Sequence, residues 1–324
     1  MKRAIAIIAI LVVAGAAIYT VMARSGQFQL TRAELRERYT DPTSRFVTVK
    51  GMEIHYKDEG AGEPVLLLHG SFGTVKTWDG VVDKLKAEYR LIRFDQPPTG
   101  LSGEFPPGID GLSLEDFVAA FLDEIGVDRL SLAGTSSGGI IAYRFASKYP
   151  ERTNALVLSN VPSAVVDNSA TDTPPLLGAL ISISSWLRYQ PKVYWRSFLE
   201  SLYADPGRLK ESTVQAYYDF GRRRREAPFV RSMMARVNAN AEIDEVLRKV
   251  TAPTLLLWGV PDRVLPLALG EQLKAKLSAT DAQLIVLENT GHYPPVESPD
   301  TVADHIGVFL GRTLGAGGLS APAP

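Results

Sequence analysis

The chain contains no cysteine and only four histidines among its 324 residues. Without thiols there are no disulfides, no cysteine-ligated zinc, no iron–sulfur cluster and no cysteine nucleophile, and the redox compartment stays open. An excess of charge is also missing: 35 Lys and Arg stand against 36 Asp and Glu, a formal net charge of −1. That balance lacks the electrostatic footprint of a nucleic-acid binder, so no such partner is expected. No internal repeat is visible, which excludes solenoids and propellers. What is present is 45% hydrophobic residues, an ordinary globular composition long enough for one large domain with an insertion.

The two ends depart from that average. Lys2 and Arg3 precede an uncharged stretch, Ala4 to Ala23, closed by Arg24. At 1.5 Å per residue this stretch spans about 30 Å, the hydrocarbon thickness of a bilayer. Residues 1–24 are therefore expected to be a single-pass N-terminal membrane anchor. The alternative is a signal peptide cleaved near Ala14-Gly15-Ala16, which would release a secreted or periplasmic enzyme. Residues 25–44 read as a linker with some helix. The Gly/Ala/Pro-rich residues 315–324 have little to bury and are expected to form a disordered tail.

From Arg45 the pattern becomes strand-like. Phe46-Val47-x-Val49, a Lys50-Gly51 turn and Met52–Tyr56 predict an antiparallel hairpin. Short continuous apolar runs at residues 64–68, 89–94, 129–133, 155–158, 254–258 and 283–287 predict strands covered on both faces. Helical segments at about 75–88, 114–125, 137–148 and 267–277 fall between them. Such alternation implies an α/β fold, a mostly parallel eight-stranded sheet with helices on both faces. The rhythm breaks between Asn160 and Pro253, where proline-punctuated helical sequence predicts a helical insertion. The expected order is core 45–161, helical cap 162–241, and core again 242–314.

Chemistry concentrates where strands end. Gly134-Thr135-Ser136-Ser137-Gly138 follows one strand and opens a helix. A serine held at such a turn is exposed at the carboxyl edge of the sheet beside a helix N-terminus. A serine nucleophile needs a base, and of the four histidines His292 lies in a loop after a strand, at the same edge. The base needs an orienting carboxylate, and Asp262 in Trp258-Gly259-Val260-Pro261-Asp262 follows the preceding strand. Ser136, Asp262 and His292 are thus the candidate triad. Backbone N–H donors for an oxyanion are expected from Ser71 and Ser137, with Phe72 as second choice to Ser71; His69 is expected to order that loop by hydrogen bonding. No metal and no organic cofactor is required by this chemistry.

Four stretches together resemble the α/β-hydrolase superfamily, in the branch with a His-Gly-x-x-Gly oxyanion loop and a helical cap: His69-Gly70-Ser71-Phe72-Gly73, Gly134-Thr135-Ser136-Ser137-Gly138-Gly139, Trp258-Gly259…Asp262 and Gly291-His292. The similarity runs from about Arg45 to Leu314. The family's Asp-x-x-Gly-x-Gly-x-Ser turn reads here Asp95-Gln96-Pro97-Pro98-Thr99-Gly100-Leu101-Ser102, with prolines where a glycine and a basic residue are usual. That substitution predicts a stiffer, differently shaped loop. Haloalkane dehalogenases and epoxide hydrolases are similar but place aspartate at the nucleophile, so Ser136 argues against both. Some relatives take their acid from the strand before the cap; here that strand ends at Asn160, which leaves Asp262.

The resemblance implies a serine hydrolase of a small-molecule substrate with an apolar acyl group, first of all a carboxylic-ester hydrolase working through an acyl-enzyme. The alternatives with the same triad are a C–C bond hydrolase, a cofactor-free perhydrolase and an acyltransferase. A non-catalytic binding protein on the same fold is the third class. Trp186 and Trp195 in the cap are candidates for the wall of an acyl pocket, or for cap–core packing. The run Arg222–Arg225 is a solvated face, or a contact for anionic headgroups.

Overall fold

The computed structural model describes residues 2–106, 109, 112–164, 173–224 and 242–315. The sheet has eight strands in the order β1-β2-β4-β3-β5-β6-β7-β8. They are β1 (Ser44–Val49), β2 (Met52–Glu59), β3 (Glu63–Leu68), β4 (Tyr89–Phe94), β5 (Leu130–Thr135), β6 (Thr153–Ser159), β7 (Thr254–Val260) and β8 (Ala282–Glu288). β2 is antiparallel to both of its neighbours, and every other pairing is parallel. The hairpin predicted around Lys50-Gly51 forms with Val49 opposite Met52, and both turn residues have positive φ.

Helices cover both faces. On one lie α4 (Leu114–Glu124) and α5 (Ser137–Lys148), on the other α3 (Asp79–Leu85) and the terminal helix Pro299–Leu314. Each face carries its own apolar cluster, one with Phe94, Phe121, Tyr143 and Trp258, the other with Trp78, Val81, Leu257 and Ile306. Leu and Ile side chains fully buried in this way contribute about 1.5–3 kcal/mol each. The central strands β3, β5, β6 and β7 are buried along nearly their whole length because both their faces are covered, so the alternation seen in one-sided sheets is absent.

N-terminal to the sheet lie α1 (Lys2–Arg24) and α2 (Arg32–Tyr39); the latter starts with a capping box between Thr31 and Glu34. Among the described residues, α1 is the helix long and apolar enough to cross a membrane, and its apolar window is unburied. Between β6 and β7 the helices α6 (Pro175–Leu187), α7 (Lys192–Leu202) and α8 (Glu211–Gly221) occupy part of the predicted insertion. Prolines start two of them: Pro174 and Pro175 open α6 and Pro191 caps α7, where a missing N–H costs nothing. The remainder of the predicted cap, 165–172 and 225–241, and the tail beyond Gly315 lie outside the described residues.

Candidate active site

β5 ends in a turn that forces Ser136 to φ 50° and ψ −127°, a region that L side chains rarely adopt. The turn is tight because its neighbours are glycines. A Cβ on Gly134 would sit 2.6 Å from the Gly138 carbonyl oxygen, and one on Gly138 would collide with the Leu68 and His69 carbonyls. The Ser136 N–H donates to the Ser159 carbonyl of β6 at 3.0 Å, fixing the turn to the sheet. α5 begins at the next residue, so the Ser137 N–H is one of the first-turn donors that helix geometry leaves without an intrahelical acceptor.

Three loops that are distant in sequence meet here. His292 Nε2 lies 3.1 Å from Ser136 Oγ, and His292 Nδ1 lies 2.8 Å from Asp262 Oδ2. With Nδ1–H donated to the carboxylate, Nε2 is the acceptor for the serine hydroxyl. Asp262 is itself clamped: Oδ1 accepts the Val264 and Leu265 N–H groups at 2.7 and 2.9 Å. Asp262 and His292 are both buried.

The glycine loop after β3 stands directly over the serine. A Cβ on Gly70 would lie 3.0 Å from Ser136 Cβ. Ser71 Oγ donates to Ser137 Oγ at 3.0 Å, so the two expected donor residues are in direct contact. Phe72 holds φ 62°, unusual for a side chain of that size. His69 ties this loop down. Its Nδ1–H donates to the Gly70 carbonyl at 2.8 Å, while Nε2 accepts the Gln96 N–H at 3.0 Å. Burial pushes the His69 pKa down, against the opposing pull of the Gly70 hydrogen bond and the Asp95 charge. It is therefore an ordering residue.

The proline-containing turn that supports His69 is organised by Asp95. Its carboxylate accepts N–H groups from Val75 and Leu101 at 2.8 Å each, and the Nδ1–H of His55 at 2.8 Å. Burial raises the Asp95 pKa, but these contacts outweigh it and the net shift is downward. His55 Nε2 also lies 3.1 Å from Ser44 Oγ, a second Ser-His-Asp grouping. Ser44 opens an edge strand instead of heading a strand–helix turn, and Asp95 is bonded into a loop. This grouping is a brace for the hairpin.

The cap tryptophans separate. Trp195 is 3% exposed, and its ring meets Phe72 edge-on with centroids 5.9 Å apart. Trp186 is 60% exposed, which corrects its expected place in a pocket wall. On α6 the buried positions are Leu177, Leu180, Ser184 and Leu187, a helical stripe that turns Trp186 to the opposite side. The arginine run is also not a uniform face. Arg222 pairs with Asp219 at 2.6 Å, Arg223 is 5% exposed, and Arg225 lies outside the described residues.

Three residues support the site in ways the sequence did not reveal. Asn160 donates from Nδ2 to Asp262 Oδ2 at 2.6 Å and accepts the Gly259 N–H at 2.9 Å. Tyr293 donates its hydroxyl to the Ser71 carbonyl at 2.8 Å; burial holds its pKa well above the usual phenol value. Glu297 accepts N–H groups from Gly291, Ala204 and Asp205, binding the His292 loop to the end of α7. Tyr293 was visible as the neighbour of His292 and Asn160 as a strand end, but neither contact was legible, and no motif announced Glu297. Among the described residues there is no cluster of three or more His, Asp or Glu side chains suited to a metal ion.

Comparison with known proteins identifies the family. A family model described as "Alpha/beta hydrolase family" matches residues 65–305. A 2-hydroxy-6-oxononadienedioate/2-hydroxy-6-oxononatrienedioate hydrolase of Cupriavidus pinatubonensis is 30% identical over 290 residues, covering 83% of this chain and 96% of the relative. A 2-hydroxy-6-oxo-6-phenylhexa-2,4-dienoate hydrolase of Burkholderia cepacia is 30% identical over 80% of this chain and 93% of its own. Among solved structures, a membrane phospholipase A described as a bacterial virulence factor is 27% identical with TM-score 0.63, covering 97% of this chain and 99% of its own. These curated relatives favour the C–C alternative over the ester expectation.

Proposed function

The chain belongs to the alpha/beta hydrolase family, and from that footing we propose that it is a membrane-associated serine hydrolase cleaving carboxylic esters with an apolar acyl group. His292 takes the Ser136 proton as Oγ attacks the ester carbonyl. The Ser71 and Ser137 amides hold the oxyanion, and Asp262 stabilises the imidazolium. Collapse of the tetrahedral adduct passes the proton from His292 to the leaving alcohol. Water, activated by the same histidine, then clears the acyl-enzyme.

One observation carries the ester reading. α1, exposed along its apolar length, is fastened to the cap: Arg24 donates to the Trp186 carbonyl, and Tyr19, Phe28 and Tyr189 form one aromatic cluster. α6 turns Leu176, Ile181, Ile183 and Trp186 outward beside it. An apolar helix adjoining an apolar cap face suits an enzyme that takes its substrate from a lipid phase. The match to the membrane phospholipase A supports this, because its 97% coverage is too large to leave α1 out. On this reading residues 4–23 anchor the protein.

The curated relatives favour a second reading, hydrolysis of a C–C bond in a 2-hydroxy-6-oxo-dienoate. The same serine would attack the 6-oxo carbon, and a carbanion protonated at carbon would leave in place of the alcohol. Kinetics on the full chain in detergent decide between them. Short- and medium-chain p-nitrophenyl esters and a diacyl phospholipid are compared with 2-hydroxy-6-oxo-6-phenylhexa-2,4-dienoate. Higher kcat/KM on the esters, lost in Ser136→Ala, is the expected result. Preference for the dienoate by a hundredfold or more would transfer the assignment to C–C hydrolysis.

A further inference from the structure

We propose that Arg223 is a positioning residue for the loop over Ser136, through which the linker after α1 and the end of α8 brace the oxyanion donors. The proposal rests on the reading of Ser136 as nucleophile. Arg223 sits where three pieces of chain meet. Its backbone neighbours clasp the linker: Leu30 N–H donates to the Arg222 carbonyl at 2.8 Å, and Arg224 N–H donates to the Leu30 carbonyl at 2.6 Å. The buried guanidinium reaches the other way. Nη1 donates to the Pro98 and Gly100 carbonyls at 3.0 and 2.9 Å, with the Thr99 carbonyl at 3.3 Å.

Those carbonyls belong to the turn that holds His69. Thr99 Oγ1 donates to the Gln96 carbonyl at 2.6 Å, and Gln96 bonds His69 twice, through N–H to Nε2 at 3.0 Å and through Nε2 to the His69 carbonyl at 2.6 Å. His69 in turn bonds Gly70, which lies against Ser136. Hydrogen bonds run from the linker to Gly70, and close packing of Gly70 against Ser136 completes the connection. Buried carbonyls converging on one cation are costly to leave unpaired, so the turn closes around the guanidinium in one geometry. A lysine there supplies one compact charge where arginine supplies a planar fork.

A residue acting on the oxyanion loop affects the transition state more than ground-state binding. The test uses the full chain in detergent with p-nitrophenyl butyrate, each preparation normalised by fluorophosphonate titration of competent Ser136. Arg223→Met is expected to lower kcat about 30-fold or more with KM within about threefold, and Arg223→Lys to recover part of it. An alkyl boronic acid, which mimics the tetrahedral adduct, should lose affinity in parallel with kcat/KM. Gln96→Met should show the same signature, and the double variant Arg223→Lys/Gln96→Met should lose less than the product of the singles.

Unchanged kcat and boronate affinity per titrated site would overturn the proposal, as would a loss confined to KM. If Arg223→Met does not fold, Arg223→Lys and Gln96→Met decide: multiplicative effects, or no kcat effect, sink it. Wild-type protein that fails to react with the fluorophosphonate would instead reject the nucleophile reading itself.

Discussion

Asn160 and Asp262 share a hydrogen bond of 2.6 Å, from the side-chain amide to the same carboxylate oxygen that faces His292. Asn160 stands at the end of β6, where some related folds carry the acid itself. Here it holds Asp262, the candidate acid after the next strand, and its own Oδ1 accepts the Gly259 N–H on that strand. The two strand ends are thereby locked together at the site.

Asn160→Ala is expected to lower kcat about tenfold or more with little change in KM, because a hydrogen bond to a charged group contributes about 1.5–3 kcal/mol. Steady-state kinetics on an ester substrate would show it. An unchanged kcat would mean that the Val264 and Leu265 amides suffice to hold Asp262.

Asp262→Asn should keep the fold and reduce kcat by about four orders of magnitude, because the amide favours the wrong imidazole tautomer. Active-site titration, circular dichroism and kinetics on one preparation separate this from misfolding. A loss of less than tenfold would remove Asp262 from the triad.

Glu297→Ala should destabilise the chain by about 3 kcal/mol or more, since it strips the acceptor from three backbone N–H groups at Gly291, Ala204 and Asp205. Arg208, 3.0 Å from this carboxylate, loses one of its partners as well and keeps Asp205 and Ser298. Urea unfolding provides the measurement. Stability equal to wild type would show that the His292 loop does not depend on this clasp.

Stability should fall as the pH is lowered from 7 toward 5. Burial depresses the His69 pKa below its unfolded value of about 6.5, so the unfolded chain takes up the proton first. The stabilisation is fully present above the unfolded pKa and is lost as pH falls through it toward the folded pKa. His305, half-buried with a pKa likewise lowered by burial, adds to the same slope. In Tm-versus-pH curves, His69→Gln should flatten the decline without removing it. An identical slope in that variant would exclude His69 as a source.

Removing residues 2–24 should move the protein from the membrane pellet to the soluble fraction while the linker bond from Leu30 to Arg222 is retained. Fractionation of expressing cells checks this. A truncated chain still found in the pellet would place the membrane contact elsewhere.

The core strands were legible because a sheet covered on both faces needs continuous apolar runs, and β3 to β7 carry them between turn residues; β8, expected to be covered on both faces, is instead an edge strand with Val286 37% exposed. The elbow was legible because glycines must flank Ser136 for steric reasons, and Gly134 and Gly138 do. The cap was less legible. Trp186 and Trp195 are equivalent by composition, but helical phase exposes the first and buries the second against Phe72. Asn160 was visible as the strand end where some relatives carry the acid, but its bond to Asp262 was not, and Glu297 carried no signal, since a side chain that bonds distant groups leaves no periodicity behind. Arg223 was hidden in a basic run that elsewhere would be solvated.

By itself, then, strand–helix alternation determined the fold class, and the order Ser136, Asp262, His292 after β5, β7 and β8 determined the candidate chemistry, because both are written in short stretches of chain. Only the tertiary structure decided how the three groups are held. His292 and Asp262 owe their geometry to Asn160, Glu297 and the end of α7, and the loop over Ser136 to His69, Gln96 and Arg223. These are contacts between residues far apart in sequence, set by packing that no local pattern encodes.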